Sequence, residues 1–468
     1  MKTRIEHDLL GELAVPADAW YGIQTQRALD NFSITGVPIS HFPALVRALV
    51  QVKSAAAWAN RELGVLPADK AEAIMAACEE IDAGYLHDQF VVDLIQGGAG
   101  TSTNMNANEV IANLALEKLG HARGEYQYLH PNDDVNRSQS TNDAYPTAVC
   151  LAIQFAAEPL EQAIRSLIGA LKEKGQAFAS IVKMGRTQMQ DAVPMTLGQE
   201  FEGFAVNLAE DLDRLQEVAR LLCEVNLGGT AIGTGINAPA GYQALAVARL
   251  AQISGKPLVS ASNLVEASSD MGAFVMFSGI LKRFAIKLGK MCNDLRLLSS
   301  GPRTGLGEIH LPPMQPGSSI MPGKVNPVIP EAVNQTAYQV IAADLAVTLA
   351  AEAGQLQLNA MEPLIVYNLL NSIKMLTSAC AMLEERCIRG IRANEAQCAR
   401  HLDNSIGIVT ALVPHIGYSN ATRIASSALT TGATVRELVL AEKLLPEAQL
   451  DALLSPHAML APARVASA

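Results

Sequence analysis

Two hydroxyls, a cation and an amide fall within one ten-residue segment of the C-terminal half: Gly317-Ser318-Ser319-Ile320-Met321-Pro322-Gly323-Lys324-Val325-Asn326. Such a loop can bring backbone N–H groups, Lys324 and Asn326 to bear on one small anion and set a serine beside it. A nucleotide-phosphate loop has four residues between its first glycine and its Gly-Lys pair, then Ser or Thr. Here five residues separate Gly317 from Gly323, and Val325 follows Lys324, so the nucleotide reading fails twice. Taken alone, the segment could also be a plain surface loop.

Three more segments share its chemistry. Thr101-Ser102-Thr103 follow a glycine run, Ser140-Thr141-Asn142-Asp143 follow a polar stretch, and Thr187-Gln188 follow Gly185-Arg186. Small hydroxyls and amides at loop ends suit a grip on carboxylates through neutral hydrogen bonds helped by one cation. Each segment also has a local explanation. Ser140, Thr141 and Asn142 could cap a helix beginning near Pro146, Thr101 and Thr103 one beginning near Asn106, and Thr187 a turn. The residues alone leave both readings open.

Familiar catalytic sets are missing from the sequence. The nine histidines lie outside the four segments, and neither an HExxH nor a GxSxG pattern occurs. The acids in or beside the segments are Asp143, Asp191 and Glu331. No ligand cluster supports a metal, and no cofactor is expected.

These residues sit on connectors between helices. Helical spacing predicts short helices over about 43–63, 69–83 and 106–119, within an N-terminal, mainly helical region of residues 1–140. Five long helices are expected near 147–183, 196–225, 264–298, 328–353 and 362–390, making residues 141–395 a central bundle. Residues 396–468 read as a small C-terminal helical domain broken by Pro414, Gly417, Gly432 and Pro446. The fold class is all-α.

Composition agrees. Hydrophobic residues make up 49% of the 468, charged residues 17% and aromatics 4%, which favours helices packed on helices over a sheet-rich core. So little charge over so large a core suggests apolar surface buried between subunits. The net charge of −11 comes without a basic stripe, which argues against a nucleic-acid partner. Seven scattered cysteines with no CxxC pair read as reduced core thiols of a cytoplasmic protein. The N-terminus is polar, and the longest uncharged stretch, Val225–Ala248, holds five glycines and a proline, so neither a signal peptide nor a membrane span is expected.

The Gly317–Asn326 loop resembles the signature loop of the aspartase/fumarase superfamily of lyases at every position. The likeness extends through Gly97–Asn108, Pro131–Pro146, Gly185–Pro194, Gly233–Asn237 and Ser300–Arg303. Within the superfamily, Gln139–Pro146, Gln188, Glu266–Asp270, Asn326–Glu331 and Leu356–Pro363 are similar to the aspartase branch, where class II fumarases usually carry His at the position of Gln188. His130–Asn136 is at least as fumarase-like, and a class II fumarase is the alternative.

The resemblance implies reversible anti-elimination of ammonia from L-aspartate to give fumarate, through an aci-carboxylate. It makes Ser318 the general base, places Thr101, Ser140, Thr141 and Ser319 on the β-carboxylate, and places Thr187, Lys324 and Asn326 on the α-carboxylate. Asn142, with Gln188 nearby, would face the amino group. It further implies a three-domain helical chain, a homotetramer with a twenty-helix core, and sites built from three subunits. A serine base is unusual, because its hydroxyl is protonated near neutral pH. It needs local N–H donors and nearby positive charge to ionise.

Overall fold

The computed structural model describes residues 2–460 and is predominantly helical. A hairpin of β1 (Thr3–Asp8) and β2 (Gly11–Pro16) leads into α1 (Ile23–Asn31), α2 (Pro43–Glu62), α3 (Ala68–Asp82) and α4 (Thr101–Lys118). Then come α5 (Thr141–Ala177), a second antiparallel hairpin of β3 (Val182–Thr187) and β4 (Gln190–Thr196), and α6 (Leu197–Ala219). The chain continues through α7 (Tyr242–Ser254), α8 (Leu264–Ala267), α9 (Gly272–Leu298), α10 (Val328–Glu352) and α11 (Glu362–Arg386). It closes with α12 (Glu395–Asn404), α13 (Val409–Thr431), α14 (Val435–Ala441), α15 (Glu447–Leu453) and α16 (Pro456–Leu460).

Packing divides the chain into two units. The first holds the chain up to Gln162, Asp211–Ile286 and Thr336–Thr377; the second holds Ala163–Glu210, Lys287–Gln335 and the chain from Ser378. Every boundary falls inside one of the five long helices α5, α6, α9, α10 and α11.

Within the first unit, α2 shows what the apolar composition does. Pro43 stands at its first position, where the missing N–H costs nothing. Its buried residues run around the whole helix, from Leu45, Val46 and Ala48 to Ala57, Ala59 and Asn60. Neighbours enclose it on all sides, so any polar group it carries must find partners inside the protein. Two such groups, Lys53 and Asn60, are 0% exposed.

In the second unit, the C-terminal helices pack on β3. Leu402, Ile408, Leu412, Ile424, Val435, Val439 and Leu450 form one buried cluster with Val182 and Met184. Gly417, at φ 76° and ψ 159°, is non-helical and divides α13 into two helical pieces across a kink, while Pro414 lies inside the first piece. The break expected at Gly417 is therefore present, and the one expected at Pro414 is not. The breaks expected at Gly432 and Pro446 do end or start helices.

Other boundaries need correction. The helix expected over 147–183 runs from 141 to 177, and residues 182–187 form a strand instead. Pro146 does not begin the helix but lies inside it, leaving the Asn142 carbonyl without its helical donor. The Asn226 side-chain amide donates to that carbonyl at 2.9 Å. The helix expected over 106–119 starts at Thr101. The one expected over 264–298 is two, with α8 ending at Ala267 and α9 starting at Gly272. Six of the seven cysteines are buried, Cys223 is half-buried, and all seven are free thiols. The segment Glu362–Gly390 is long and apolar enough to cross a membrane, but half of its most apolar window is packed inside the protein.

Candidate active site

The candidate residues divide between the units. Thr101, Ser140, Thr141 and Asn142 lie in the first; Thr187, Gln188, Ser318, Ser319, Lys324 and Asn326 lie in the second.

In the first unit, Ser140 is the N-cap of α5. Its hydroxyl accepts from Asn142 N at 3.2 Å, while Asp143 Oδ1 accepts from Ser140 N at 2.8 Å. This reciprocal pair satisfies two free donors of the first turn and fixes where the helix begins. The capping explanation therefore holds for Ser140. Asp143 reaches further, with Oδ2 accepting from Gly228 N at 2.9 Å and Thr230 N at 3.0 Å. Burial raises the Asp143 carboxyl, opposed by the three N–H donors and by Lys53. Asn142 Nδ2 donates to Ala231 O at 2.8 Å. With its nitrogen held there, Asn142 keeps its carbonyl oxygen to accept from an ammonium.

Thr101 is the first residue of α4, after Gly100 at φ 88°. A Cβ on Gly100 would stand 2.4 Å from the Tyr145 ring, so only glycine fits between the two helix starts. The Thr101 hydroxyl donates to Gly98 O at 2.6 Å. Thr141 Oγ1 accepts from Asn104 Nδ2 at 3.2 Å.

Behind Thr141 lies a network that sequence reading missed. Lys53 Nζ donates to Asn104 Oδ1 at 2.6 Å, Asn136 Oδ1 at 2.8 Å and Gln139 Oε1 at 2.8 Å. An ammonium has three donors and no acceptor, so its three contacts must be amide oxygens, which sets each amide's orientation. Burial brings Lys53 down to about 7, with Asp143 opposing. Two turns along the same face of α2, Asn60 donates to Arg137 O at 2.9 Å and accepts from Ser138 Oγ at 2.7 Å. The signal in the sequence was a lone lysine and an asparagine seven residues apart in an apolar run.

In the second unit, Thr187 ends β3, and Gln188 and Met189 form the two-residue turn to β4 with φ 53° and 65°. Two consecutive left-handed residues suit the twist of a tight hairpin, but Gly or Asn normally fills them. Gln188 and Met189 hold this costly backbone, as residues at functional sites often do. A buried charge cluster anchors the hairpin. Glu308, 0% exposed, pairs with Lys183 at 2.8 Å, Arg186 at 2.7 Å and His401 at 3.0 Å. Burial pushes its carboxyl up, but Lys183, His401 and Arg186 outweigh burial and hold it below the ordinary value.

The signature loop is cinched at its base. Gly317 N donates to Lys324 O at 2.7 Å, and Asn326 Nδ2 donates to Gly317 O at 2.9 Å. A Cβ on Gly317 would meet Lys324 O at 2.8 Å. One N–H of Asn326 is thus spent on closing the loop, and its second remains for a ligand. Ser318 Oγ accepts from Ile320 N at 3.2 Å and from Met321 N at 3.1 Å. Two N–H groups on one serine oxygen stabilise negative charge there. Ser319 and Lys324 are exposed, and among the described residues neither side chain has a protein partner. No His, Cys, Asp and Glu grouping suited to a metal ion occurs among the described residues.

Known proteins resemble this chain along nearly its whole length. The Lyase family profile matches residues 11–342, and that of the Fumarase C C-terminus matches 408–461. An aspartate ammonia-lyase of Pseudomonas aeruginosa is 66% identical, covering 98% of this chain and 97% of its own length. One of Escherichia coli K12 is 56% identical, covering 98% and 96%. Among solved structures, a fumarate lyase:delta crystallin from Brucella melitensis bound to cobalt superposes with a TM-score of 0.96 at 60% identity, covering 98% and 100%. A class II fumarase from Schistosoma mansoni gives 0.93 at 35% identity, covering 97% and 98%. With matching profiles at both ends and relatives of this identity, the chain belongs to the aspartase/fumarase superfamily of lyases.

Proposed function

We propose that this chain catalyses the reversible elimination of ammonia from L-aspartate to give fumarate, with Ser318 as the base. The pair of backbone N–H groups on Ser318 Oγ is the observation that carries the mechanism. These donors, with the unpaired Lys324 ammonium on the same loop, favour the alkoxide. The alkoxide takes the Cβ proton, and the electron pair of that C–H bond moves onto the β-carboxylate as an aci-carboxylate. Ser140, Thr141 and Ser319 meet the growing charge there, joined by Thr101 once its hydroxyl turns away from Gly98 O. The pair then returns to form the Cα–Cβ double bond as the Cα–N bond breaks. Thr187, Lys324 and Asn326 hold the α-carboxylate in place.

The leaving group decides between ammonia-lyase and hydratase. An ammonium departs as ammonia with its own three protons and needs no acid. A hydroxyl leaves far more readily once an acid has protonated it. Gln188, which has no titratable proton, stands where fumarases usually carry His. Identities of 56–66% to curated aspartate ammonia-lyases support the same choice over the 35% to a fumarase.

The working form is a homotetramer in the cytoplasm. Tyr338, Leu345 and Leu349 are 59%, 60% and 59% exposed, and their spacing puts them on one stripe of α10. An apolar stripe of this kind is suited to burial against other copies of the chain. The division of the candidate residues between two units fits sites assembled from several subunits. The deciding assay is the rise of fumarate absorbance on adding L-aspartate, with L-malate in parallel. Turnover of L-malate but not L-aspartate refutes the reading in favour of the hydratase.

A further inference from the structure

We infer that Lys53 is a positioning residue for the elimination: by holding the Asn104 amide oxygen it turns the Asn104 nitrogen onto Thr141 Oγ1, leaving the Thr141 proton for the substrate carboxylate. This rests on the proposed reaction and adds to it a residue that touches no substrate. The geometry supplies each link. All three donors of Lys53 are taken, by Asn104, Asn136 and Gln139. Asn104 Nδ2 is thereby directed to Thr141 Oγ1 at 3.2 Å and Asn136 Oδ1 at 3.1 Å. Thr141 Oγ1 accepts that bond, and among the described residues its O–H has no protein acceptor. The hydroxyl therefore enters the reaction as a donor, the polarity a growing aci-carboxylate demands.

Lys53 also fixes the segment before α5. Gln139, held by Lys53, donates to Val135 O at 3.0 Å and Arg137 O at 3.1 Å, and Asn136 Nδ2 donates to Gln139 O at 3.2 Å. The ammonium thus locks the turn that delivers Ser140 and Thr141. The titratable groups acting on Lys53 are Asp143 of α5 and Cys78 of α3, both fully buried. Through Asn104, the Lys53 ammonium polarises the amide whose nitrogen donates to Thr141 Oγ1. Its stabilisation should count more in the transition state than in the ground state.

Lys53→Met tests this. It should lower kcat by ~10²-fold, the scale of losing one preorganised donor. Affinity for succinate, a ground-state dicarboxylate, should fall by less than ~5-fold. Affinity for the nitronate of 3-nitropropionate, which carries the charge of the aci-carboxylate, should fall as far as kcat does. Equal losses for succinate and nitronate would mean general damage and overturn the proposal. In the double variant with Thr141→Val, Lys53→Met should cost little beyond Thr141→Val alone, and additive losses would overturn the relay. If Lys53→Met does not fold, Asn104→Leu cuts the same relay while keeping the lysine. It should depress nitronate affinity selectively, and a folded Asn104→Leu enzyme with wild-type kcat also overturns the proposal. Wild-type protein that turns over no L-aspartate refutes the parent reaction instead. The two affinities still report on Lys53, because they need no turnover.

Discussion

The candidate residues of the two units are held in opposite ways. In the first unit, the hydroxyls of the grip rest on groups shut away from water: Lys53 and Asp143 are 0% exposed and Asn104 is 2% exposed. In the second unit, the proposed base, Ser318, sits on a loop whose Ile320 is 84% exposed and whose bonds run mostly within the loop's own backbone. The contrast follows from the chemistry. Charge that appears on a carboxylate during the reaction is met cheaply only by dipoles already in place. A base needs little surrounding framework, only donors that lower the cost of its own ionisation, and Ile320 N and Met321 N travel with Ser318 wherever the loop goes.

Removing the base should have the largest effect. Ser318→Ala should lower kcat by at least ~10²-fold, while succinate binding persists on the grip of the other unit. Steady-state kinetics with a binding titration checks both. Turnover near wild type in a folded Ser318→Ala enzyme would take this serine out of the mechanism and leave the exposed half of the comparison without a function.

Buried charge differs between the units as well. Lys53 is surrounded by neutral amide oxygens, and burial brings it down to about 7. Glu308 is surrounded by Lys183, Arg186 and His401, and it stays ionised despite burial. Glu308→Gln would strand the Lys183 and Arg186 cations around a neutral group, a loss of about 3–5 kcal/mol for a broken buried pair. Denaturant unfolding near neutral pH measures it. The pH sense is fixed by the direction of the shift. Glu308 is below its ordinary value in the folded state, so its contribution is complete above the unfolded-state value and disappears as pH falls through the folded one. The wild type should lose stability through that acid range and Glu308→Gln should lose less. Parallel acid limbs for the two would show that the cluster contributes nothing.

A smaller effect is expected at Lys324, the one cation of the loop. Lys324→Met should raise KM for L-aspartate by ~10-fold, the cost of about one charge-assisted hydrogen bond. It should also lower kcat if the α-carboxylate sets the angle of the Cβ–H bond. An unchanged KM would place Lys324 away from the substrate.

Legibility in the sequence followed distance along the chain. The Ser318 loop could be read because its residues are neighbours in sequence and its closure is local, from Gly317 to Asn326. Long helices were visible in their apolar periodicity, and α2, α3, α10 and α11 lie close to their expected ranges. The start of α5 was misplaced because Pro146 looks like a first-turn residue. Its true tolerance comes from Asn226, eighty residues away. The β3–β4 hairpin was read partly as helix, since Val182 and Met184 continue an apolar run. Their place is set by packing against Leu402, Ile408 and Leu412. Lys53 was invisible for the same reason. An isolated lysine in an apolar helix gains meaning only when Asn104, Asn136 and Gln139 arrive from elsewhere.

The comparison is sharpened most by asking whether the two halves of one working site come from different chains. Thr141 belongs to the buried grip and Ser318 to the exposed loop, in separate packing units. Thr141→Ala and Ser318→Ala enzymes should each be nearly inactive alone. Unfolded together in equal amounts and reassembled, they should form mixed oligomers, tetramers on the proposed assembly. Suppose a site takes Thr141 from one chain and Ser318 from another. By random assortment about one quarter of sites then receive both native residues, and activity returns to about that fraction of wild type. If instead one chain supplies both residues, every site carries a defect whatever the mixture. Native mass spectrometry establishes that hybrids have formed, and the fumarate assay reads the recovery. Hybrids with no recovered activity would mean that grip and base share a chain, and the shared-site proposal would fall.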